Sequence, residues 1–231
     1  MRVLVVGDGK MGQAVAEVAR QRGHEVVAVL GPEQSAAWSL ELDAGSRADV
    51  AIEFTAPWAV VGNLEWLVAA GLPVVCGTTG WDGRLAEVTA MVEHRRGALL
   101  HAANFSIGVQ LFLRAATQLA AAFRGRTGFG AAIVEEHHAA KRDAPSGTAL
   151  ALQRAVHAAD PDREVPISSV RVGAVPGTHA LILDALRERI ELVHTARDRA
   201  VFAEGAVQAA EWLAGRRGVF TMHDLLDAAT S

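Results

Sequence analysis

The sequence predicts an α/β fold: an N-terminal parallel sheet flanked by helices, then a second α+β domain built on a mixed sheet. Three observations carry this. Short β-branched runs alternate with helix-compatible segments over residues 1–106, the pattern of βαβ units. A glycine-rich turn joins the first such run to the first helix. Beyond residue 130, strand candidates follow one another with little helix between them.

Residues 3–6 read as a buried first strand. Residues 12–22 are Ala-rich with apolar residues at helical spacing and stop at Gly23. Residues 25–30 form a second strand, halted by Gly31-Pro32, and residues 49–54 a third. A helix over 58–70 closes at Gly71, a fourth strand covers 73–76, a helix 84–95, and a fifth strand 98–102. Residues 107–123 are a long Ala/Leu-rich helix broken at Gly125. Strands are then expected at 131–136, 168–173, 178–184 and 188–195, with one helix at 148–159. Helical patterns return at 201–215 and 222–228. Residues 1–106 and 203–231 are therefore assigned to a dinucleotide-binding domain, and 107–202 to a substrate-binding and oligomerisation domain. The short stretch 31–48 leaves room for a missing sheet element.

With 231 residues, 51% of them hydrophobic and 21% charged, the chain has enough apolar side chains for a substantial core. A net charge of −4 gives no general attraction to nucleic acid or to anionic membrane, and no apolar stretch approaches the ~20 residues of a membrane span. The four apolar residues before Gly7 are too few for a signal-peptide core. The one cysteine, Cys76, excludes an internal disulfide and reads as a small buried hydrophobe. A cytoplasmic protein is expected.

Gly7-Asp8-Gly9-Lys10-Met11-Gly12 is a GxGxxG string placed between the first strand and first helix. The first Gly permits the turn, the second lets a pyrophosphate approach the backbone, and the third lets helix pack on strand. The helix N-terminus adds unpaired N–H groups and partial positive charge, so the domain reads as a Rossmann-type nicotinamide-dinucleotide site. An acidic residue normally ends the second strand to bind the ribose. Here Leu30-Gly31-Pro32-Glu33 stands there, with neither that acid nor an Arg for a 2′-phosphate. The choice between NADH and NADPH stays open, with Ser35 and Lys10 as other contacts to consider. Gly77-Thr78-Thr79-Gly80 and Ala103-Asn104-Phe105-Ser106 follow the fourth and fifth strands, at the carboxyl ends where open α/β sheets bind ligands.

The segment Glu135-Glu136-His137-His138-Ala139-Ala140-Lys141-Arg142-Asp143-Ala144-Pro145-Ser146-Gly147-Thr148 is the richest in chemistry. Two histidines and a lysine leave a strand end together, and Pro145-Ser146-Gly147-Thr148 opens a helix whose first amides suit a carboxylate. His and a desolvated Lys both move protons near neutral pH. Adjacent His137 and His138 point to opposite strand faces with no obvious third ligand, so no metal is expected.

Taken together these blocks resemble the 4-hydroxy-tetrahydrodipicolinate (dihydrodipicolinate) reductase family, over almost the whole chain. Further matches are Glu53-Phe54-Thr55-Ala56-Pro57, Arg171, Gly173, Pro176-Gly177, His179, His194, Arg199 and Gly205-Ala206. The resemblance implies reduction by NADH or NADPH of a cyclic, imine-type dicarboxylate on the diaminopimelate route to lysine. It makes His137 the principal acid/base residue and Lys141 its proton-donating partner. His138, Gly147 and Thr148 would hold the substrate's carboxylates. Gly7, Asp8, Gly9, Lys10, Met11, Gly12, Gly77, Thr78, Thr79, Ala102, Ala103, Asn104 and Phe105 would hold the cofactor. A homotetramer built through the second domain's sheet is also implied. The glycine loop is one residue shorter than in many relatives, Gly31-Pro32 replaces a frequent Glu-Arg pair, and Ala56 an Arg. Another two-domain dehydrogenase of amino-acid precursors would account for the glycine loop but not for the 137–148 string. A catalytically silent dinucleotide sensor would have no need of His137, His138 and Lys141 together.

Overall fold

Strands with four or more consecutive apolar residues must be covered on both faces, and this dictates the first sheet. The computed structural model describes residues 1–31 and 48–228. In it β1 (Arg2–Val6), β2 (Glu25–Leu30), β3 (Val50–Glu53), β4 (Val74–Cys76), β5 (Ala98–His101) and β10 (Gly218–Phe220) make a parallel sheet in the order β10-β5-β4-β3-β1-β2. Its helices are α1 (Lys10–Gln21), α2 (Val60–Ala69), α3 (Leu85–His94), α6 (Ala200–Leu213) and α7 (Met222–Ala228). Val3, Leu4, Val5 and Val6 are fully buried, and one core joins Leu4, Val6 and Ala51 to Leu64, Leu67, Val74 and Leu99. Arg22 and His24, beyond the end of α1, both bond Glu211 of α6, at 2.7 and 2.8 Å.

Two details depart from the expected elements. α2 starts at Val60, not Trp58, because the Ala56 carbonyl accepts from both Ala59 and Val60 and so sets the first turn, leaving Trp58 exposed. β10 was not expected at all. It is three residues long and half-buried throughout, too short for a periodic signal, and is a strand because it finds β5 in register, Val219 beside Leu99. Of the stretch 31–48, where a missing sheet element is expected, residues 32–47, with Glu33 and Ser35, lie outside the described residues.

The chain divides into two units, Met1–Ser106 with Ala200–Ser231, and Ile107–Arg199. The return to the first unit thus falls at Ala200, where α6 begins, rather than at 203. The second unit holds β6 (Gly130–His137), β7 (Ile167–Arg171), β8 (Gly177–Asp184) and β9 (Arg189–Ala196) in the order β7-β6-β8-β9. β6 and β7 run parallel, whereas β8 pairs antiparallel with β6 on one side and β9 on the other, so the sheet is mixed. α4 (Ile107–Phe123) and α5 (Gly147–Ala159) cover one face: Phe112, Ala116, Ala149, Leu152 and Val156 pack on Ile133 and Leu181. On the opposite face Val134, Ala180 and Val193 stand side by side in register, and Val193 is 50% exposed.

Candidate active site

In the first unit the three glycines of the loop do different work. Gly7 has φ +118°, and a Cβ there would stand 2.0 Å from the Phe54 carbonyl oxygen. A Cβ on Gly12 would stand 1.8 Å from the Gly7 carbonyl oxygen. Both glycines are thus demanded by the fold itself. Gly9 is not: its backbone is ordinary (φ −71°, ψ −175°) and a Cβ would meet nothing within 4 Å. Gly9 also begins α1 with no side-chain cap and no acid in the first turn. Open space beside Gly9 at a helix N-terminus with no side-chain cap is what a pyrophosphate requires, so the residues present fit a dinucleotide. Asp8 and Lys10 are exposed and Met11 half-buried beside it. The Asp8 carboxylate lies against Gly31, at the end of β2, where a Cβ would stand 2.9 Å from it.

The turns after β4 and β5 line one small pocket, formed by Thr78, Thr79, Trp81, His101, Ala102 and Ala103 among others. Thr78 is fixed from two sides: its hydroxyl accepts the Thr55 amide (2.7 Å) and its carbonyl accepts the Trp81 indole N–H (2.7 Å). The Asn104 side chain accepts the Ser106 amide (2.9 Å), turning the chain out of β5. Phe105 is different. Its ring is buried against Phe54, so its side chain serves packing. Trp81 and His101, in edge-to-face contact at 5.7 Å, were not singled out from sequence; an aromatic directly after a Gly-Thr-Thr-Gly turn is the signal that could have found them. Beneath lies buried Glu53, which accepts from Thr55, Asn63 and the Cys76 thiol. Burial, then the Glu53 carboxylate, pushes the Cys76 thiol well above its usual range, so it is no nucleophile.

In the second unit β6 carries Glu135 and His137 on one face, both buried. His137 Nδ1 bonds Glu135 Oε2, and Arg171 on β7 bonds Glu135 Oε1 at 2.6 Å. Burial alone would raise the Glu135 carboxyl; bonds from Arg171, Ser169 and His137 outweigh it and hold it down to about 2. Burial lowers His137 against the pull of Glu135, with Lys141 and Arg171 adding to the lowering. His179 on β8 meets His137 edge-to-face at 5.1 Å, and burial followed by the His137 charge drives it down to about 4. His138, just past the strand end, lies 3.4 Å from Arg199, and Lys141 bonds both oxygens of Asp143 at 2.7 and 2.9 Å. Ser146 caps α5 by accepting the Ala149 amide and also bonds His179 Nε2 at 3.0 Å. Gly147 is exposed at the helix start with nothing within 4 Å of an added Cβ, and Thr148 is half-buried next to it.

Glu135, His137 and His179 offer ligand atoms within 4.8 Å of one another. Each is already engaged by protein, and the Arg171 guanidinium on Glu135 opposes a second cation there.

A glycine loop ahead of a helix and a cluster of histidines with a lysine and an arginine are found in many reductases, and comparison with known proteins distinguishes among them. The family model described as dihydrodipicolinate reductase, N-terminus, matches residues 1–105, and the one described as its C-terminus matches residues 108–226. The chain belongs to the dihydrodipicolinate reductase family. The 4-hydroxy-tetrahydrodipicolinate reductase of Christiangramia forsetii is 36% identical over 238 residues, 98% of each chain. That of Thiobacillus denitrificans is 37% identical over 268 residues, again 98% of each. Among solved structures, dipicolinate-bound dihydrodipicolinate reductase from Paenisporosarcina sp. TG-14 superposes with a TM-score of 0.80 at 24% identity, covering 96% of this chain and 97% of that one. The family match spans both parts of the chain, which sets aside a dehydrogenase related only through its glycine loop.

Proposed function

We propose that the chain reduces 4-hydroxy-tetrahydrodipicolinate, by way of the dihydrodipicolinate imine, to tetrahydrodipicolinate, using NADH or NADPH. The observation that carries this reading is the cluster of Glu135, His137, Lys141 and Arg171 beside the capped start of α5, in a chain matched along both parts to the reductase family.

Gly7, Gly9 and Gly12 with the N-terminus of α1 would hold the pyrophosphate, and the turns around Thr78–Thr79 and Ala102–Asn104 the nicotinamide end. Bound there, the dinucleotide supplies a hydride. The chain's own task is electrostatic and protonic. His138, Gly147 and Thr148 bind the substrate carboxylates at the positive end of α5. Reduction of a conjugated imine leaves an electron pair on a ring carbon, which His137 and Lys141 protonate. Asp143 keeps the Lys141 ammonium in place through two hydrogen bonds.

The open face of the second sheet supports a homo-oligomer, a tetramer in this reading. Val134, Ala180, Ile182 and Val193 form an apolar stripe with no helix of the unit upon it, and such faces are buried by association. No described helix is long and apolar enough to cross a membrane, and a cytoplasmic setting suits an enzyme that consumes reduced nicotinamide. The direct test follows nicotinamide absorbance while the substrate is generated from pyruvate and aspartate semialdehyde. Absorbance loss dependent on both precursors is expected; no loss with either cofactor would refute the activity.

A further inference from the structure

The carboxylate of Glu135 is fully buried, two residues before His137 on the same face of β6. Both of its oxygens are engaged, Oε1 by Arg171 and Oε2 by His137 Nδ1. Arg171 is itself anchored, donating to the carbonyls of Val170 and Asp143 at 2.7 Å each. A carboxylate held ionised has no hydrogen to give, so the proton between Glu135 and His137 belongs to the ring: Nδ1–H donates and Glu135 accepts. Nε2 is then the ring's exchangeable position. It points toward Gly177, where a Cβ would stand 3.0 Å from it. Gly177 has φ +156°, at the edge of the region side chains avoid, and its lack of a side chain leaves Nε2 uncovered.

We propose that Glu135, anchored by Arg171, is a positioning residue that holds a proton on His137 Nδ1 and so reserves Nε2 for proton transfer to the substrate. This rests on the reading of His137 as the acid/base group. In the step itself the imidazolium Nε2–H bond breaks and a C–H bond forms with the electron pair on the reduced substrate's carbon. The ring is left neutral with its Nδ1 proton, still bonded to Glu135, which remains an anion throughout. The charged and titratable groups facing the ring are Glu135 on β6, Arg171 on β7, His179 on β8 and Lys141 in the loop after β6.

The test is Glu135→Gln in the full chain. Arg171 will claim the amide oxygen, so the amide NH₂ faces Nδ1, which must then accept, and the proton moves to Nε2. Turnover is expected to fall by about 10²- to 10³-fold with KM little changed, and Glu135→Asp to recover part of the loss. ¹⁵N-histidine NMR gives a readout independent of activity: His137 in the unsubstituted protein should show a protonated, exchange-protected Nδ1 and an unprotonated Nε2, reversed in Glu135→Gln. Normal turnover in Glu135→Gln, or a protonated Nε2 in the unsubstituted protein's neutral ring, overturns the proposal. Should Glu135→Gln not fold, the spectrum of the unsubstituted protein still decides. His137→Gln separates the two layers. If it keeps normal turnover, the acid/base reading fails; if it loses turnover while Glu135→Gln does not, only the positioning role fails.

Discussion

Replacing Gly9 should separate ligand binding from folding more cleanly than any other change in the glycine loop. Its backbone lies in a region open to every residue, and a new Cβ would touch no protein atom within 4 Å. Two small effects on stability oppose each other. Losing glycine reduces the freedom of the unfolded chain by about 0.4–1 kcal/mol, while an apolar residue at the helix cap costs about as much. Gly9→Val should therefore unfold within about 1 kcal/mol of the unsubstituted protein. Its side chain, however, fills the space at the start of α1 that a pyrophosphate needs. Losing two charge-assisted hydrogen bonds at about 1.5–3 kcal/mol each corresponds to roughly 10²- to 10⁴-fold in Kd. Gly12→Ala is the contrasting variant. Its Cβ would stand 1.8 Å from a backbone oxygen that cannot move aside, so it should lose more than about 3 kcal/mol of stability. Calorimetric titration with NADH and NADPH, alongside urea unfolding, reads both quantities. Unchanged dinucleotide affinity in a folded Gly9→Val protein would refute the placement of the pyrophosphate.

Further outcomes follow from the second unit and from the core of the first. His137→Gln and Lys141→Ala should each lower kcat by about 10²- to 10⁴-fold while leaving dinucleotide affinity intact, and the double variant should fall short of the product of the two losses; steady-state kinetics with calorimetry checks this. Acid should weaken the fold in two windows, because His179 and Glu135 are both depressed in the folded state. The contribution of His179 is present above pH 6.5 and lost as pH falls toward about 4, a gap worth up to about 3 kcal/mol. That of Glu135 is present above 4.5 and lost toward about 2. Urea midpoints measured against pH should show the first window flattened in His179→Asn. Light scattering at micromolar concentration should report an oligomer, and Ile182→Lys on the open sheet face should shift it toward smaller species. Cys76 should resist alkylation until the protein unfolds, which mass spectrometry of iodoacetamide-treated samples would record.

What could be read in the sequence depended on how much of each signal was local. Residues 107–123 carry a long uninterrupted helical pattern, and α4 has those bounds. The GxGxxG string sits in its strand–turn–helix context, so the separate duties of its glycines could be anticipated from spacing alone. β10 could not be, since Gly218–Phe220 is a strand only by virtue of β5. The same holds for Glu135. Its place two residues before His137 puts both on one face of a strand, which is legible, but that its carboxylate is buried depends on Arg171, 36 residues further on. Trp81 and His101 likewise meet only when two strand ends are brought together.

The path of the chain has a consequence for its biosynthesis. The second unit is continuous from Ile107 to Arg199, whereas the first is not finished until α6, β10 and α7 have been made. Until then the first five strands leave the ribosome without β10, the outer neighbour of β5, and without the helix whose Ala203, Ala206, Val207, Ala210 and Leu213 are buried in the finished unit. Gly205, whose Cβ position lies 1.7 Å from the Phe105 carbonyl oxygen, marks how closely that late helix must settle onto the early strands. The order of folding therefore inverts the order of synthesis: the continuous second unit can consolidate first, and residues 1–106 must remain without their complement until α6, β10 and α7 have been made.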